Sequence, residues 1–107
     1  MIPKKNRINK KLFEEIFKKG AIIHTPLFLF KYQKTLEKQG LFSFVVSKNI
    51  YRSAVKRNSL RRKGYNTMRS VGNWPPVEGI FIFKKTEKVP TTLEIAENIR
   101  LIFQKIR

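Results

Sequence analysis

The sequence predicts a single-domain α+β sandwich, with helices and strands interleaved around one core. Three observations predict it. At 107 residues, with 41% hydrophobic and 12% aromatic composition, the chain has a one-domain length and enough apolar material for a modest core. Apolar residues recur at helical spacing in some segments and form β-like runs in others. No internal repeat, low-complexity linker or domain boundary interrupts residues 1–107.

The elements follow in order. In KKLFEEIFKKG, Leu12, Phe13, Ile16 and Phe17 fall at helical spacing, Asn9 caps the start, and Gly20 is expected to supply a left-handed stop. Residues 22–34 are β-like: Leu27, Leu29 and Lys31 share one face, and Phe28, Phe30 and Tyr32 the other. Pro26 implies an edge position or a break near His24. EKQG over 37–40 is a turn signal and LFSFVVS over 41–47 a second β run, so the two runs are expected to pair as a hairpin. Ser53 caps a helix reaching roughly Ser70, which GNWPP over 72–76 ends. GIFIFKK over 79–85 reads as a short buried strand. Thr91 or Thr92 caps a last helix with the apolar stripe Leu93, Ala96, Ile99, Ile102, Phe103 and Ile106.

Charge narrows the function. Against 24 Lys and Arg stand 7 acidic residues, all Glu, for a net charge of +17. Such an excess repels itself unless a polyanion is present, and nucleic acid is the expected partner. A membrane is the weaker choice, because no apolar run approaches the ~20 residues of a span and no lipid-seeking helix face is present. The opening MIPKKNRINKK has no apolar stretch behind its charges, so it reads as neither signal nor transit peptide, and a cytoplasmic location is expected. With no Cys there is no disulfide framework and no thiolate chemistry, and with no Asp and one His there is poor material for a metal cluster or a catalytic dyad. Glu14 and Glu15 diverge by about 100° on their helix and read as solvated charge. His24 reads as structural.

The segment AVKRNSLRR holds the strongest signal. Asn is a poor helix-interior residue, yet Asn58 stands among Lys56, Arg57, Arg61 and Arg62. On a helix, Asn58, Arg61, Arg62, Tyr65 and Arg69 fall within an arc of about 100°, with Leu60, Thr67 and Val71 opposite and Gly64 among them. Between Glu37 and Glu78 there is no acidic residue, so Lys48, Arg52, Lys56, Arg57, Arg61, Arg62, Lys63 and Arg69 are uncompensated. Solvated faces usually mix signs, and this one forgoes the pairs. Arg can grip phosphate bidentately, and an Asn amide can donate to phosphate or a 2′-hydroxyl.

The run VVSKNIYRSAVKRNSLRRKGYNTMR resembles the signature region of the bacterial ribonuclease P protein subunit, through Ser47, Lys48, Ala54, Val55, Arg57, Asn58, Arg61 and Arg62. The opening PKKNRINKKLFEEIFKKG, HTPLFLF, and the closing GIFIFKK plus helix are similar to that family in order and spacing. Ser59 departs from the third residue of the Arg-Asn-Arg motif. Gly64 stands where an apolar helix residue is usual, so either the helix is locally weak or another side chain fills the space. Tyr65 replaces a usual basic residue and Asn66 a usual Glu.

The resemblance implies the order αβββαβα, with a sheet of about four strands and a left-handed βαβ crossover, the first extended run counting as two strands. It implies a subunit of ribonuclease P, the endoribonuclease that removes the 5′ leader of precursor tRNA, with catalysis by the RNA subunit and magnesium held mainly by that RNA. The expected partners are the catalytic RNA and precursor tRNA, with the protein a monomer in the ribonucleoprotein. Lys48, Arg52, Lys56, Arg57, Asn58, Arg61 and Arg62 are the expected RNA-docking residues, and Phe13, Phe17 and Lys31 the expected leader-binding residues. Phe13 and Phe17 also lie on the apolar stripe with Leu12 and Ile16, so core and cleft roles both stand. Lys31 occupies a position that is often aromatic in the family. The alternatives are a basic ribosomal or ribosome-associated RNA-binding protein, a nuclease acting without RNA, and a sequence-specific DNA binder.

Overall fold

The computed structural model describes residues 8–35 and 40–106. Helix α1 (Lys10–Lys19) starts at Asn9, whose Oδ1 accepts the Leu12 N–H at 2.9 Å. Its end differs from expectation: Gly20 has φ −67° and ψ 151°, an extended rather than left-handed conformation. Glycine is required there for closeness, since a Cβ would lie 2.6 Å from the Ile16 carbonyl oxygen.

The run 22–34 is two strands, β1 (Ala21–His24) and β2 (Phe28–Lys34), paired antiparallel. Thr25 closes the bend at Pro26. Its Oγ1 accepts the Phe28 N–H at 3.1 Å, and its own N–H donates to the Phe28 carbonyl at 2.9 Å. Buried Asn98 anchors the bend from the last helix: its Oδ1 accepts the Leu27 N–H at 3.2 Å and its amide donates to the Glu94 carbonyl at 2.8 Å.

The expected hairpin between the runs 22–34 and 41–47 does not form. Strand β4 (Val77–Phe83) lies between β2 and β3 (Leu41–Val45), antiparallel to the first and parallel to the second, for a sheet order β1-β2-β4-β3. The expected turn at Glu37 falls largely outside the described residues. The reason for the order is burial. Ile80 and Phe81 point to opposite faces of β4 and both are fully buried, so this strand needs cover on both sides and takes the middle of the sheet. Parallel neighbours cannot be joined by a tight turn, and helix α2 (Ala54–Val71) makes the crossover. Ser53 caps α2, its Oγ accepting the Lys56 N–H at 3.3 Å; Gly72 at φ 65° and Asn73 at φ 49° end it.

Helix α3 (Thr92–Ile106) has a reciprocal cap: Thr91 Oγ1 accepts the Glu94 N–H at 3.1 Å while Glu94 Oε1 accepts the Thr91 N–H at 3.0 Å. Its apolar stripe departs from expectation at the start. Leu93 is 66% exposed and Ile95 is fully buried. The inward face therefore runs Ile95, Ile99, Ile102, Phe103, Ile106, and Leu93, in the first turn, lies off it.

One sheet face carries the main core. Phe28, Phe30, Phe42, Phe44, Phe81 and Phe83 pack with Leu60 and Met68 of α2 and with the α3 stripe; the Phe44 and Phe81 rings lie parallel at 4.6 Å. The other face meets α1, through fully buried Ile16 and Ile80. Among the described residues no helix is long and apolar enough to cross a membrane.

Candidate functional site

The expected RNA-docking residues come together on α2 and the loop before it. Lys48, Arg52, Lys56, Asn58, Arg61 and Arg62 are all exposed, and Arg57 is half-buried. Between α2 and the free edge of β3 runs a groove of about 670 Å³, lined by Ser43, Phe44, Val45, Val46, Asn58, Arg61, Arg62 and Tyr65. Asn58 now has a structural reason. Its Oδ1 accepts from the Arg61 Nη2 at 2.5 Å, which orients that guanidinium and leaves the amide N–H₂ of Asn58 as a donor beside it. No acidic side chain occurs between Glu37 and Glu78 to neutralise this surface.

Two side chains sit differently from expectation. Tyr65 is buried and does not belong to the exposed stripe: its ring packs edge-on against Phe44 at 5.0 Å and its hydroxyl accepts the Phe44 N–H at 3.2 Å. The helical arc places Tyr65 between Arg61 and Arg62, yet its long side chain reaches the sheet, where the phenol satisfies a backbone donor of the edge strand. Arg57 Nη1 donates to the carbonyls of Tyr51 at 2.8 Å and Arg52 at 2.7 Å, in the loop that precedes its helix. The space left by Gly64 is filled by Phe44, whose ring lies 2.6 Å from where a Cβ would stand.

Phe13, Phe17 and Lys31 meet on the opposite sheet face, beside α1. The Phe13 and Phe17 rings lie nearly parallel, 6.0 Å apart. Phe17 is 48% exposed, so it is not a core residue, while Phe13 is half-buried. Lys31 stands over the Phe17 ring, its Nζ 3.8 Å from the centroid, and donates to the Phe17 carbonyl at 3.2 Å. The ammonium therefore both caps the end of α1 and covers one aromatic face. Glu14, Glu15 and His24 are exposed, and Glu15 accepts from the Gln33 amide at 3.4 Å.

Sequence reasoning missed three residues on this face. Leu29, Ile82 and Val45 stand in register across β2, β4 and β3 and are only half-buried, forming an apolar strip that α1 leaves partly open. The alternation of the β runs carried the signal, but the strip requires the strand order. Val55, which carries part of the family resemblance without a site role, is 75% exposed among cations at the start of α2. Among the described residues no three His, Cys, Asp or Glu side chains gather where they could hold a metal ion.

The ribonuclease P family model matches residues 2–107. No curated protein matches the chain. Solved structures do: the ribonuclease P protein of Staphylococcus aureus is 25% identical over 94% of both chains with a TM-score of 0.74. A second structure of that protein is 26% identical, covering 99% of this chain and 92% of the other, with a TM-score of 0.70. The ribonuclease P protein of Thermotoga maritima, 19% identical over 94% and 97% of the two chains, shares the fold at a TM-score of 0.79.

Proposed function

Because the chain belongs to the ribonuclease P protein family, and is thus a protein subunit of that endoribonuclease with ribonuclease P RNA as its partner, we propose a division of labour between its two surfaces. The α2 groove and the loop before it dock on the catalytic RNA. The face beside α1 receives the single-stranded 5′ leader of precursor tRNA. The ribosomal alternative is not favoured by the family match.

The observation that carries the proposal is the acid-free cationic surface of α2, where Lys48, Arg52, Lys56, Arg61 and Arg62 are exposed and Asn58 orients Arg61. Oriented guanidiniums bind phosphate with two N–H groups at once, and the neighbouring amide adds a donor for phosphate or ribose. On the other face, the half-exposed Phe17 ring supplies a stacking platform, Lys31 supplies charge for a phosphate, and Leu29, Ile82 and Val45 supply apolar contact. Stacking tolerates any base, which suits leaders of varied sequence.

In this mechanism the RNA performs the hydrolysis. The protein neutralises phosphate repulsion where leader and RNA meet, raising substrate affinity and lowering the magnesium requirement. In this reading magnesium is held mainly by RNA phosphates, and no step is assigned to protein-bound metal. The work belongs in the cytoplasm, with the protein one copy per ribonucleoprotein.

The test is cleavage of a 5′-leadered precursor tRNA by a bacterial ribonuclease P RNA at low magnesium, with and without this protein. Restored cleavage is expected. Absence of restoration with the cognate RNA, alongside tight binding to unrelated RNAs, would reduce the protein to a general basic RNA binder.

A further inference from the structure

Arg57 stands apart from the cations around it. Arg52, Lys56, Arg61 and Arg62 are exposed, whereas Arg57 is half-buried, and a single nitrogen of its guanidinium donates to two consecutive carbonyls, Tyr51 at 2.8 Å and Arg52 at 2.7 Å. Those carbonyls belong to the segment linking β3 to α2. The segment begins as a turn in which the Ile50 and Tyr51 N–H groups donate to the Ser47 carbonyl at 3.1 and 3.5 Å, and it ends at the Ser53 cap. Ile50 and Tyr51 are half-buried against the core, while Lys48 and Arg52 are exposed. Arg57 thus ties the last residues of the loop to the first turn of the helix, and both cations of the loop, Lys48 and Arg52, stay exposed outside the tie beside the neutral Ser47, Asn49 and Ser53.

We propose that Arg57 is a positioning residue: its guanidinium holds the 47–53 loop folded so that Lys48 and Arg52 are presented to RNA phosphates, and its contribution to RNA binding passes through them rather than through a phosphate contact of its own. The proposal rests on the RNA-docking reading of α2. The two N–H groups of one Nη1 are held in fixed directions by the planar guanidinium, so two charge-assisted bonds from it cost less freedom per bond than from a freely rotating lysine ammonium. Without the tie, Lys48 and Arg52 would have to be ordered when RNA binds, and affinity would fall although neither charge is lost.

The test is a mutant cycle read by affinity for the cognate ribonuclease P RNA, with melting temperature and amide exchange measured on the free proteins. Residues coupled through a shared structure give non-additive effects, and independent contacts add. Arg57→Ala is expected to weaken binding about tenfold in the wild-type background and less than about twofold in a Lys48→Ala/Arg52→Ala background. Faster exchange of the Ile50 and Tyr51 amides, with sheet amides unchanged, is expected alongside. Equal losses in both backgrounds would mean that Arg57 touches RNA itself. Faster exchange with unchanged affinity would leave only a structural clamp, and a Lys48→Ala/Arg52→Ala protein that binds like wild type would remove the residues through which Arg57 acts. Each of these three overturns the proposal. Should Arg57→Ala fail to fold, Arg57→Lys goes through the same cycle, and full retention of wild-type affinity by this variant, which keeps the charge without the planar head group that fixes both bonds, overturns it too. If the wild-type protein does not prefer this RNA over an unrelated structured RNA, the docking reading itself has failed, a result distinct from all of these.

Discussion

Single residues decide more of this surface than their propensities suggest. Gly64 is a poor helix residue by about 1 kcal/mol relative to Ala, yet the Phe44 ring lies 2.6 Å from the position a Cβ would take. Gly64→Ala is therefore expected to destabilise the protein by roughly 1–3 kcal/mol of overpacking in spite of the gain in propensity, measured by chemical denaturation. A stabilised variant would show that Phe44 moves aside freely. Asn58 was legible as an anomaly in the sequence, but its pairing with Arg61 at 2.5 Å needed coordinates. Asn58→Ala is expected to weaken binding to the ribonuclease P RNA several-fold with little change in melting temperature, since both side chains are exposed. Asn98 gave no usable signal: one polar residue in an apolar helix stripe has many possible reasons. Its bond to the Leu27 N–H spans 71 residues, and Asn98→Leu, which strands that buried donor, is expected to cost about 1–3 kcal/mol in denaturation.

At the scale of elements, helix starts are legible in the sequence because each N-cap and its partner lie within a turn of one another, whereas the Gly20 stop and the first turn of the α3 stripe are set by what packs against them. Asn9, Ser53 and Thr91 each accept a backbone N–H three residues on. In the Thr91 cap the Glu94 carboxyl accepts first from the Thr91 N–H and also interacts with its hydroxyl, which holds it below its ordinary value of 4.5. A carboxyl with a lowered folded-state pKa stabilises above the unfolded pKa and ceases to do so as pH falls through the folded value. Acidification below about pH 4.5 is therefore expected to lower the melting temperature of the wild-type protein more than that of Glu94→Gln; parallel pH profiles would exclude the cap as the cause. Helix α1 was read with two possible fates for its aromatic residues. Exposure of Phe17 and partial burial of Phe13 separate them. Phe17→Ala is expected to retain the circular dichroism of the wild type and to weaken precursor-tRNA affinity by about 1–3 kcal/mol if a leader base stacks there, while affinity for the ribonuclease P RNA alone stays unchanged.

Across the whole molecule, the sheet separates two faces: α2 with α3 over the aromatic face, and α1 over the face of Ile80 and Lys31. With a net charge of +17, binding to RNA should release many counterions. The logarithm of affinity is expected to fall linearly with the logarithm of salt by roughly 0.7–0.9 per phosphate neutralised, and Arg61→Ala should reduce that slope by about one such step; an unchanged slope would remove Arg61 from the contact. What the sequence determined by itself was local or additive: where helices start, which runs are extended, which segment is basic and free of acid, and hence a polyanion as partner. Caps and periodicity act over a few residues, and charge sums whatever the fold. What only the tertiary structure decided was the order of strands, the burial of Tyr65, the exposure of Leu93, the extended Gly20 and the inward use of Arg57. The turn signal at 37–40 argued for a local hairpin, and it was outweighed because β4, apolar on both faces, is covered only at the centre of the sheet. That competition is between segments distant in sequence, and no window along the chain contains both of them.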